Sequence, residues 1–311
     1  MNLCSLKTVR ELLDKHGLSP KKGYGQNFLI NKSIPERIAG SSAAGGDVGF
    51  DGYGGFCEGV CALEIGPGIG SMTVELSQYF EKVIAVEIDR GLIPLLSETL
   101  AECDNVSVVN EDFMKLDLKA FLEKEAPGMP VRVCANLPYY VTTPVLMKLL
   151  EEYPLSGKSP IESVTVMVQT EVADRMCASP ESSDYGALSA SVALHGVAEK
   201  LFTVSAGNFY PAPKVSSSVV QITLHENGIR DVFKNVPEGE KEAEVFAERV
   251  KKLINLAFLQ RRKTLTNALS CEHPKEKVEK ALESLGIRTD IRGEKLSAAE
   301  YCALAFVLYG Y

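Results

Sequence analysis

The sequence has no long apolar run. No stretch of its 311 residues approaches the roughly 20 consecutive apolar residues that a membrane-crossing helix needs. The longest run, 301–309, is typical of a buried helix. The first residues, MNLCSLKTVRELL, interrupt their apolar positions with charges, which does not fit a signal peptide. We therefore expect a cytoplasmic protein that has no contact with a membrane.

Closely grouped cysteines are also missing. The eight cysteines are scattered, and only Cys57 and Cys61 are near each other in the sequence. A single C-x-x-x-C pair without a second pair or a nearby histidine is weak evidence for zinc, because a structural zinc ion needs four ligands. We expect reduced thiols and no bound metal.

Positive charge is scarce, with 33 Lys and Arg against 41 Asp and Glu and a net charge of -8. This balance excludes a protein that coats nucleic acid indiscriminately, because phosphates would on average be repelled. Basic residues are nevertheless concentrated around residue 21 and in segment 249–263, which holds no acid. These clusters predict confined RNA contacts, although a solvated face is the alternative interpretation. The residues concerned are Lys21, Lys22, Arg249, Lys252, Arg261, Arg262 and Lys263.

Strand-like and helix-like segments alternate between residues 60 and 225, which is the pattern of an α/β fold with a mainly parallel sheet. The predicted strands are rich in Val and Ile and almost continuously apolar, as strands buried on both faces should be. They are residues 60–65, 83–88, 106–109, 131–135 and 163–168. Predicted helices at 71–80, 92–101 and 144–152 lie between them. The apolar segments 187–194 and 216–224 then predict an antiparallel hairpin at the edge of the sheet.

Composition divides the chain into four parts. Residues 1–59 hold a helical segment, an ordered motif and a Gly-rich loop at 41–59, which cannot bury enough apolar surface to fold by itself. Residues 60–225 form the predicted catalytic domain, and residues 226–242 are a polar linker. Residues 243–311 contain only helix patterns, which predicts a small all-α domain. Those helices are predicted at 243–258, 264–269, 274–285 and 297–309.

The first predicted strand ends in the turn Glu64-Ile65-Gly66-Pro67-Gly68-Ile69-Gly70. Glycines between a strand and a helix let the backbone approach a ligand at the carboxyl end of the sheet. The G-x-G-x-G spacing differs from the G-x-G-x-x-G pattern of dinucleotide sites. A pyrophosphate uses free N–H groups at the start of the helix, and proline supplies none. The turn therefore favours a cofactor without a phosphate.

Acidic residues follow the next two strands. Glu87, near the end of strand 83–88, can accept hydrogen bonds from both hydroxyls of a ribose. Asp112, just after strand 106–109, is placed to accept a hydrogen bond from the amino group of an adenine. A solvated glutamate and a loop aspartate are each common. A glycine turn and two acids at successive strand ends favour an adenosyl cofactor, S-adenosylmethionine.

The strand at 131–135 is followed by Asn136-Leu137-Pro138-Tyr139. Thr143 as N-cap and Pro144 at the first helical position predict that a helix begins beyond this tetrapeptide, which therefore lies on a short loop. An exocyclic amine on a base is a poor nucleophile, because its lone pair is delocalised into the ring. If the Asn136 side-chain oxygen and the Leu137 carbonyl accept its two N–H groups, the lone pair can localise towards a sulfonium methyl.

Aromatic side chains complete this predicted site. Tyr139 supplies a ring on which an extruded base can stack. Phe209 lies in a proline-containing segment that excludes a regular helix or central strand, so we place it on an irregular loop that closes over the other face of the base. A simple turn and a core aromatic are the alternative interpretations. The predicted catalytic residues are Asn136, Leu137, Pro138, Tyr139 and Phe209.

Taken together, these segments resemble the ribosomal RNA adenine N6,N6-dimethyltransferase family, in its small-subunit branch. The resemblance covers most of the chain from about residue 20 onwards, and the combination of Y-G-Q-N-F-L, E-I-G-P-G and N-L-P-Y is highly specific. Further matching segments are 83–90, 169–175, 185–189, 209–219 and 258–269. The cofactor-binding residues that the resemblance and the motifs imply are Gln26, Asn27, Leu29, Gly66, Gly68, Glu87, Ile88, Asp112, Phe113 and Asn136.

The resemblance also implies a fold and a substrate. The family fold is a class I S-adenosylmethionine-dependent methyltransferase: a Rossmann-like, mostly parallel seven-stranded sheet with a small all-α C-terminal domain that helps to grip RNA. Its members methylate two adjacent adenines near the 3′ end of small-subunit (16S) rRNA, each twice, in the assembling 30S particle. We expect the same reaction here, carried out by a monomer. The Gly-rich stretch at 45–59 is longer than the family pattern and lies away from its motifs.

Other interpretations share parts of the pattern. A large-subunit rRNA adenine methyltransferase of the macrolide-resistance type uses the same chemistry, but N-L-P-Y followed by Y-V-T-T-P, and the turn G-P-G-I-G, favour the small-subunit branch. DNA and protein-amine methyltransferases more often carry two prolines in the tetrapeptide. Intact Glu87, Asp112 and Asn136 argue against a non-catalytic assembly or transcription factor on this fold, although an assembly role can coexist with catalysis. An NAD dehydrogenase is disfavoured by the glycine spacing.

Overall fold

The computed structural model describes residues 1–21, 25–45, 55–153, 155, 159–260 and 262–311. The chain forms two compact units. The first consists of Met1–Glu152, Pro160–Ala173 and Glu199–Thr223, and the second of Tyr153–Ser159, Asp174–Ala198 and Leu224–Tyr311. The boundaries differ from those predicted, because Asp174–Ala198, which we placed in the catalytic domain, lies in the second unit.

The described strands form a seven-stranded sheet and a two-stranded ribbon. They are β1 (Phe28–Leu29), β2 (Cys57–Ile65), β3 (Phe80–Val86), β4 (Val106–Val109), β5 (Val131–Asn136), β6 (Ile161–Gln169), β7 (Gly196–Val204), β8 (Phe209–Tyr210) and β9 (Ser217–Leu224). The sheet has the order β4-β3-β2-β5-β6-β9-β7. Strands β4, β3, β2, β5 and β6 are parallel, whereas β9 pairs with β6 in antiparallel fashion. The predicted fold class is confirmed.

The helices of the first unit are α1 (Leu6–Lys15), α2 (Ser33–Ala44), α3 (Ser71–Leu76), α4 (Ile93–Thr99), α5 (Leu118–Glu125) and α6 (Tyr139–Glu151), and α7 (Thr170–Met176) runs from the first unit into the second. Helix α1 precedes β1, and the other helices lie between strands in the sequence. Asp117 begins α5, which we did not predict, by accepting a hydrogen bond from the Ala120 N–H at 3.0 Å. No described helix has both the length and the apolar content that crossing a membrane requires.

Two apolar clusters hold the first unit together. In one, α2 and α3 pack against the sheet, with Ile38, Leu76 and Val83 fully buried. In the other, α1 and α4 pack together around Leu95 and Ile69. Residues 61–63 of β2 are completely buried on both faces of the sheet, which explains why the sequence of this strand is continuously apolar rather than alternating.

The second unit is helical. Its helices are α8 (Ala187–His195), α9 (Ile229–Val232), α10 (Glu240–Leu259), α11 (Leu265–Leu269), α12 (Lys275–Ser284) and α13 (Ala298–Tyr309). The buried face of α10, which includes Phe246, Val250 and Leu253, forms the centre of its core. Residues 226–242 are more than the linker that we predicted, because Ile229 and Val236 are buried in this core.

Two local predictions about short segments were wrong. Residues 187–194 form α8 rather than a strand, because the Ala and Leu residues of this segment favour a helix that buries one side in the second unit. The strand that completes the sheet edge is β7. The predicted Gly-rich loop is shorter than 41–59, since α2 extends to Ala44 and β2 begins at Cys57; residues 46–54 lie outside the described part.

The helix after the tetrapeptide also begins earlier than predicted. Helix α6 starts at Tyr139 with Pro138 as its N-cap, so Pro144 lies inside the helix rather than at its first position. At this position Pro144 has no N–H to donate to the Tyr140 carbonyl, so α6 lacks that one backbone hydrogen bond. The Thr142 hydroxyl donates to the Pro138 carbonyl at 3.2 Å and satisfies one backbone acceptor of this first turn.

Candidate active site

An open cavity of about 190 Å³ lies in the first unit, at the carboxyl ends of β2, β3, β4 and β5. The segment 25–29, which we call the strap, and Phe209 form another part of its lining. All the predicted catalytic and cofactor-binding residues line this cavity. Parallel strands point their carboxyl ends to one edge of the sheet, and this is why residues far apart in the sequence meet here.

The glycine turn after β2 forms the floor of the cavity. Gly66, Gly68 and Gly70 have φ angles of 73°, 61° and 88°, in the region that side-chain-bearing residues rarely adopt. A Cβ atom on Gly68 would lie 3.3 Å from Cε1 of Phe28, so the turn packs tightly under the strap. The Gly66 N–H donates to the Val86 carbonyl at 2.9 Å, which fixes the turn to β3.

Glu87 follows β3 and is 4% exposed. Burial raises the pKa of its carboxyl, and the backbone N–H groups of Asp89 and Gly68 partly offset this. The Asp89 N–H donates to Oε1 at 2.7 Å and the Gly68 N–H donates to Oε2 at 3.3 Å. A carboxylate has about four acceptor positions, so each oxygen of Glu87 keeps one for a ligand. The Asn110 amide donates to the Glu87 carbonyl at 2.7 Å and holds its backbone in place.

Asp89 ties the strap to the end of β3. The Lys21 ammonium lies 2.7 Å from Oδ1 of Asp89, and the Gln26 amide donates to Oδ2 at 3.2 Å. Burial raises the pKa of Asp89, but the hydrogen bonds from Lys21, Gly91 N–H and Gln26 outweigh it, so the pKa lies below its ordinary value. Lys21, which we predicted as an RNA contact, is therefore paired within the protein beside the cavity. We did not predict a role for Asp89 from the sequence, although its position two residues after Glu87 places it near the same strand end.

The strap is also paired with the segment that carries Phe209. Strand β1 pairs with β8 so that Leu29 lies opposite Phe209 and Phe28 opposite Tyr210. The Ile30 N–H donates to the Asn208 carbonyl at 2.8 Å. We had predicted an irregular loop for Phe209, but it lies in the short strand β8; it is 4% exposed and lines the cavity.

Residues after β3 and β4 form one side wall. Ile88 is 51% exposed and Phe113 is buried. Asp112 accepts a hydrogen bond from the Met114 N–H at 3.0 Å through Oδ1, and its Oδ2 lies 3.6 Å from the Lys115 ammonium. An apolar surface next to a carboxylate is suited to a purine that carries an amino group, since the ring is desolvated while the amino group keeps an acceptor.

The tetrapeptide after β5 forms the opposite wall. Asn136 is the last residue of β5 and half-buried, and Leu137 is buried. The Tyr139 hydroxyl lies 2.9 Å from the hydroxyl of Ser217, which is fully buried in β9, so the ring orientation of Tyr139 is set by the sheet. This places amide, carbonyl and aromatic groups across the cavity from the residues that follow β3 and β4. The arrangement can hold a planar, amine-bearing ring next to a bound cofactor.

Glu64 lies behind the glycine turn and is 1% exposed. Its Oε2 has no hydrogen-bond partner in the described part of the chain. Burial raises the pKa of Glu64 to about 8, and the nearby charge of Glu87 adds to this rise. A glutamate inside a buried parallel strand is an exception to the apolar pattern. The sequence therefore marks Glu64 as unusual, although we did not predict a role for it.

The predicted RNA-binding residues of the second unit have different environments. The Arg249 guanidinium lies 4.5 Å from the Tyr309 ring centre and donates to the Tyr311 hydroxyl at 2.6 Å. Lys252 forms an ion pair with Glu272 at 2.7 Å. Arg262 and Lys263 are exposed in the turn between α10 and α11. Lys22 and Arg261 lie outside the described residues.

Comparisons with known proteins agree with this geometry. Residues 17–308 match the family model described as ribosomal RNA adenine dimethylase. Ribosomal RNA small subunit methyltransferase A of Alkaliphilus oremlandii is 41% identical over 97% of this chain and 96% of its own length, and that of Geobacillus thermodenitrificans is 40% identical over 96% and 94%.

Solved structures show the same fold. A dimethyladenosine transferase from Plasmodium falciparum superposes with a TM-score of 0.66 at 23% identity, covering 89% of this chain and 95% of its own. The 23S rRNA methyltransferase ErmE superposes with a TM-score of 0.63 at 25% identity, covering 91% and 100%. The extent of the family match and the identity to the curated relatives lead to one conclusion: the chain belongs to the ribosomal RNA adenine dimethylase family.

Proposed function

We propose that this protein transfers methyl groups from S-adenosylmethionine to the N6 amines of two adjacent adenines near the 3′ end of small-subunit rRNA, giving N6,N6-dimethyladenosine in the assembling 30S particle. The observation that carries the proposal is the cavity at the strand ends, where Glu87 and Asp112 face Asn136 and Tyr139. The names of the relatives, which are small-subunit methyltransferases, support the choice of RNA.

The residues present fit this cofactor. The free acceptor positions of the Glu87 carboxylate suit the two ribose hydroxyls, and the Asp112 carboxylate suits the adenine amino group. Ile88 and Phe113 supply apolar surface for the adenine ring. Gly66 and Gly68 line the cavity without side chains and so leave room for the amino acid part. Gln26, Asn27 and Leu29 of the strap line the same cavity.

The cofactor supplies an electrophilic methyl group on a sulfonium. The Asn136 side-chain oxygen and the Leu137 carbonyl accept the two N–H groups of the target amine, so that its lone pair points away from the base and towards the methyl. Pro138, the N-cap of α6, restricts the backbone of Leu137 and so fixes the direction of this carbonyl. Tyr139, held by Ser217, stacks on the base, and Phe209 closes the far side of the site.

No strong base is needed. The amine becomes positively charged only as the methyl group arrives, and it then loses a proton to solvent. Catalysis consists mainly of alignment, which can supply on the order of 7–11 kcal/mol, and of stabilisation of the developing ammonium by the two oxygens. Asn136, which we also predicted as a cofactor contact, therefore acts mainly on the transition state, and its side chain adds little to cofactor affinity.

The exposed cations of the second unit are proposed to bind the RNA backbone. Arg262 and Lys263 are the strongest candidates, because Arg249 and Lys252 are engaged with Tyr311 and Glu272. A confined contact of this kind is compatible with a net charge of -8, since it concerns one loop rather than the whole surface.

The decisive experiment is methyl transfer from labelled cofactor to undermethylated small ribosomal subunits, with large subunits and duplex DNA in parallel, followed by mapping of the modified nucleotide. We expect N6,N6-dimethyladenosine at two adjacent positions of small-subunit rRNA and no label in the other substrates. Labelling of large subunits alone would assign the protein to the large-subunit rRNA adenine methyltransferases. Cofactor binding without transfer to any RNA would favour an assembly factor.

A further inference from the structure

Three large apolar side chains are exposed and yet line the cavity. They are Ile88 at 51%, Met114 at 42% and Tyr140 at 60% exposure. Single exposed apolar residues are ordinary on a protein surface, and Phe56, at 62%, is one that lies away from the cavity. Three around one opening indicate that ligands cover them.

The sheet order separates Tyr140 from the other two. Ile88 follows β3 and Met114 lies after β4, on the side of β2 where Glu87 and Asp112 take the cofactor in the proposed function. Tyr140 follows β5, on the other side of β2 and beyond Asn136. A cofactor bound by the two acids covers Ile88 and Met114, and it leaves the Tyr140 ring for the RNA.

Neighbouring residues hold the Tyr140 ring at the rim. It lies in the first turn of α6, whose backbone is fixed by a hydrogen bond from the Val141 N–H to the Pro138 carbonyl at 3.1 Å. The strap packs beside it, because a Cβ atom on Gly25 would lie 3.5 Å from Tyr140 Cε1, and Gly25 has a φ of 57°. Tyr139, in contrast, is turned inwards and bound to Ser217. The two consecutive tyrosines therefore offer one ring inside the site and one at its edge.

We propose that Tyr140 is a substrate-stacking residue, whose ring packs on the base next to the adenine being methylated. This inference rests on the proposed function. An adenine that enters the cavity leaves its stack, so its neighbour loses a stacking partner. An aromatic ring at the rim replaces that partner, and this interaction needs a flat face rather than a hydroxyl. Because the two target adenines are adjacent, the neighbour is itself a purine with a large stacking surface.

Steady-state kinetics with undermethylated small subunits test this role. Base–aromatic stacking is worth enough that Tyr140→Ala should raise KM for the subunits by about 5- to 150-fold, while kcat and the cofactor Kd stay close to wild type. Tyr140→Phe keeps the ring and should behave like wild type. Phe56→Ala removes an equally exposed ring outside the cavity and serves as the matched control.

A fluorescence measurement gives a second readout that does not need turnover. A short single-stranded RNA with 2-aminopurine beside the target adenine should be quenched by the wild-type protein with cofactor product bound and by Tyr140→Phe, and not by Tyr140→Ala. Equal quenching by all three proteins would overturn the proposal, as would an unchanged KM. A loss of kcat or of cofactor affinity in Tyr140→Ala would also overturn it, because the ring would then serve the target base or the cofactor. Failure of the wild type to methylate small subunits would instead contradict the proposed function.

Discussion

The Lys21 ammonium lies 2.7 Å from Oδ1 of Asp89, and Asp89 is only two residues beyond Glu87. This ion pair connects the residues before the strap to the strand end that holds the proposed ribose site. The Asp89 N–H in turn donates to Glu87 at 2.7 Å. The position of the strap and the position of the Glu87 carboxylate are therefore linked through one buried aspartate.

Breaking this link should weaken cofactor binding. We expect Lys21→Met to raise the cofactor Kd by roughly 5- to 30-fold, corresponding to about 1–2 kcal/mol for a charged hydrogen bond that is partly exposed to solvent. Asp89→Asn should have a similar effect, and the double variant should lose little more than either single one. Titration calorimetry measures all four proteins. Fully additive losses would show that the two side chains act separately.

Glu87→Ala should abolish measurable cofactor binding. The variant removes the acceptors for both ribose hydroxyls, so we expect at least about 100-fold weaker binding by calorimetry. Glu102→Ala, which changes an exposed glutamate on the turn after α4, controls for the loss of one negative charge. If Glu87→Ala bound cofactor with wild-type affinity, Glu87 would not be a cofactor-binding residue.

Asn136→Ala should separate binding from chemistry. We expect the cofactor Kd to stay near wild type and kcat to fall by about 100- to 1,000-fold, as for the loss of a preorganised polar group that acts in the transition state. Calorimetry and single-turnover methyl transfer measure the two effects, and the melting temperature shows whether the fold is kept. Turnover near the wild-type rate would refute the alignment role.

In the second unit, the exposed basic residues and those already engaged within the protein should respond differently to replacement by Ala. Replacing Arg262 and Lys263 with Ala should weaken RNA binding and reduce the salt dependence by about one unit of slope for each phosphate that is no longer neutralised. Arg249→Ala should mainly lower the melting temperature, because Arg249 packs against Tyr309 and bonds Tyr311. Filter binding over a salt series measures the RNA affinity and its salt slope, and thermal melting measures the loss of stability. An unaltered salt slope in the double variant would show that the exposed turn does not contact the RNA phosphates.

Glu64 should make stability depend on pH. Its pKa is about 8 in the folded protein and about 4.5 as its ordinary value, so the folded state binds more protons between these limits. The contribution of Glu64 to the free energy of unfolding is therefore most favourable below about pH 4.5 and becomes less favourable as the pH rises towards about 8, by up to about 1.4 kcal/mol per pH unit. Glu64→Gln, followed by urea unfolding across this range, should flatten the dependence. Glu58→Gln, at an exposed position on the same strand, should not.

The strand ends were predictable because local sequence carries their signal. Buried parallel strands are continuously apolar, and each ends where glycine or a polar residue appears. Once the alternation of strands and helices implies a parallel sheet, the carboxyl ends must share one edge. Gly66, Glu87, Asp112 and Asn136 therefore come together in the structure as the sequence indicated.

Helix starts and short apolar segments were less predictable. The apolar pattern of residues 187–194 fits either a strand or a helix. The segment is a helix because one of its sides is buried in the core of the second unit. Helix α6 begins at Tyr139 although Thr143 and Pro144 form a good local start signal. The earlier start is what puts Tyr139 and Tyr140 on one helical turn.

The sequence by itself determined the run of parallel strands from β2 to β6, the glycine turn and the identity of the polar groups at the strand ends, because these depend on residues within a few positions of each other. The tertiary structure alone decided which charged and aromatic side chains are left for ligands. Lys21 is bound by a residue 68 positions away and Arg249 by one 62 positions away. Such pairings depend on how distant segments pack, and no local pattern encodes them.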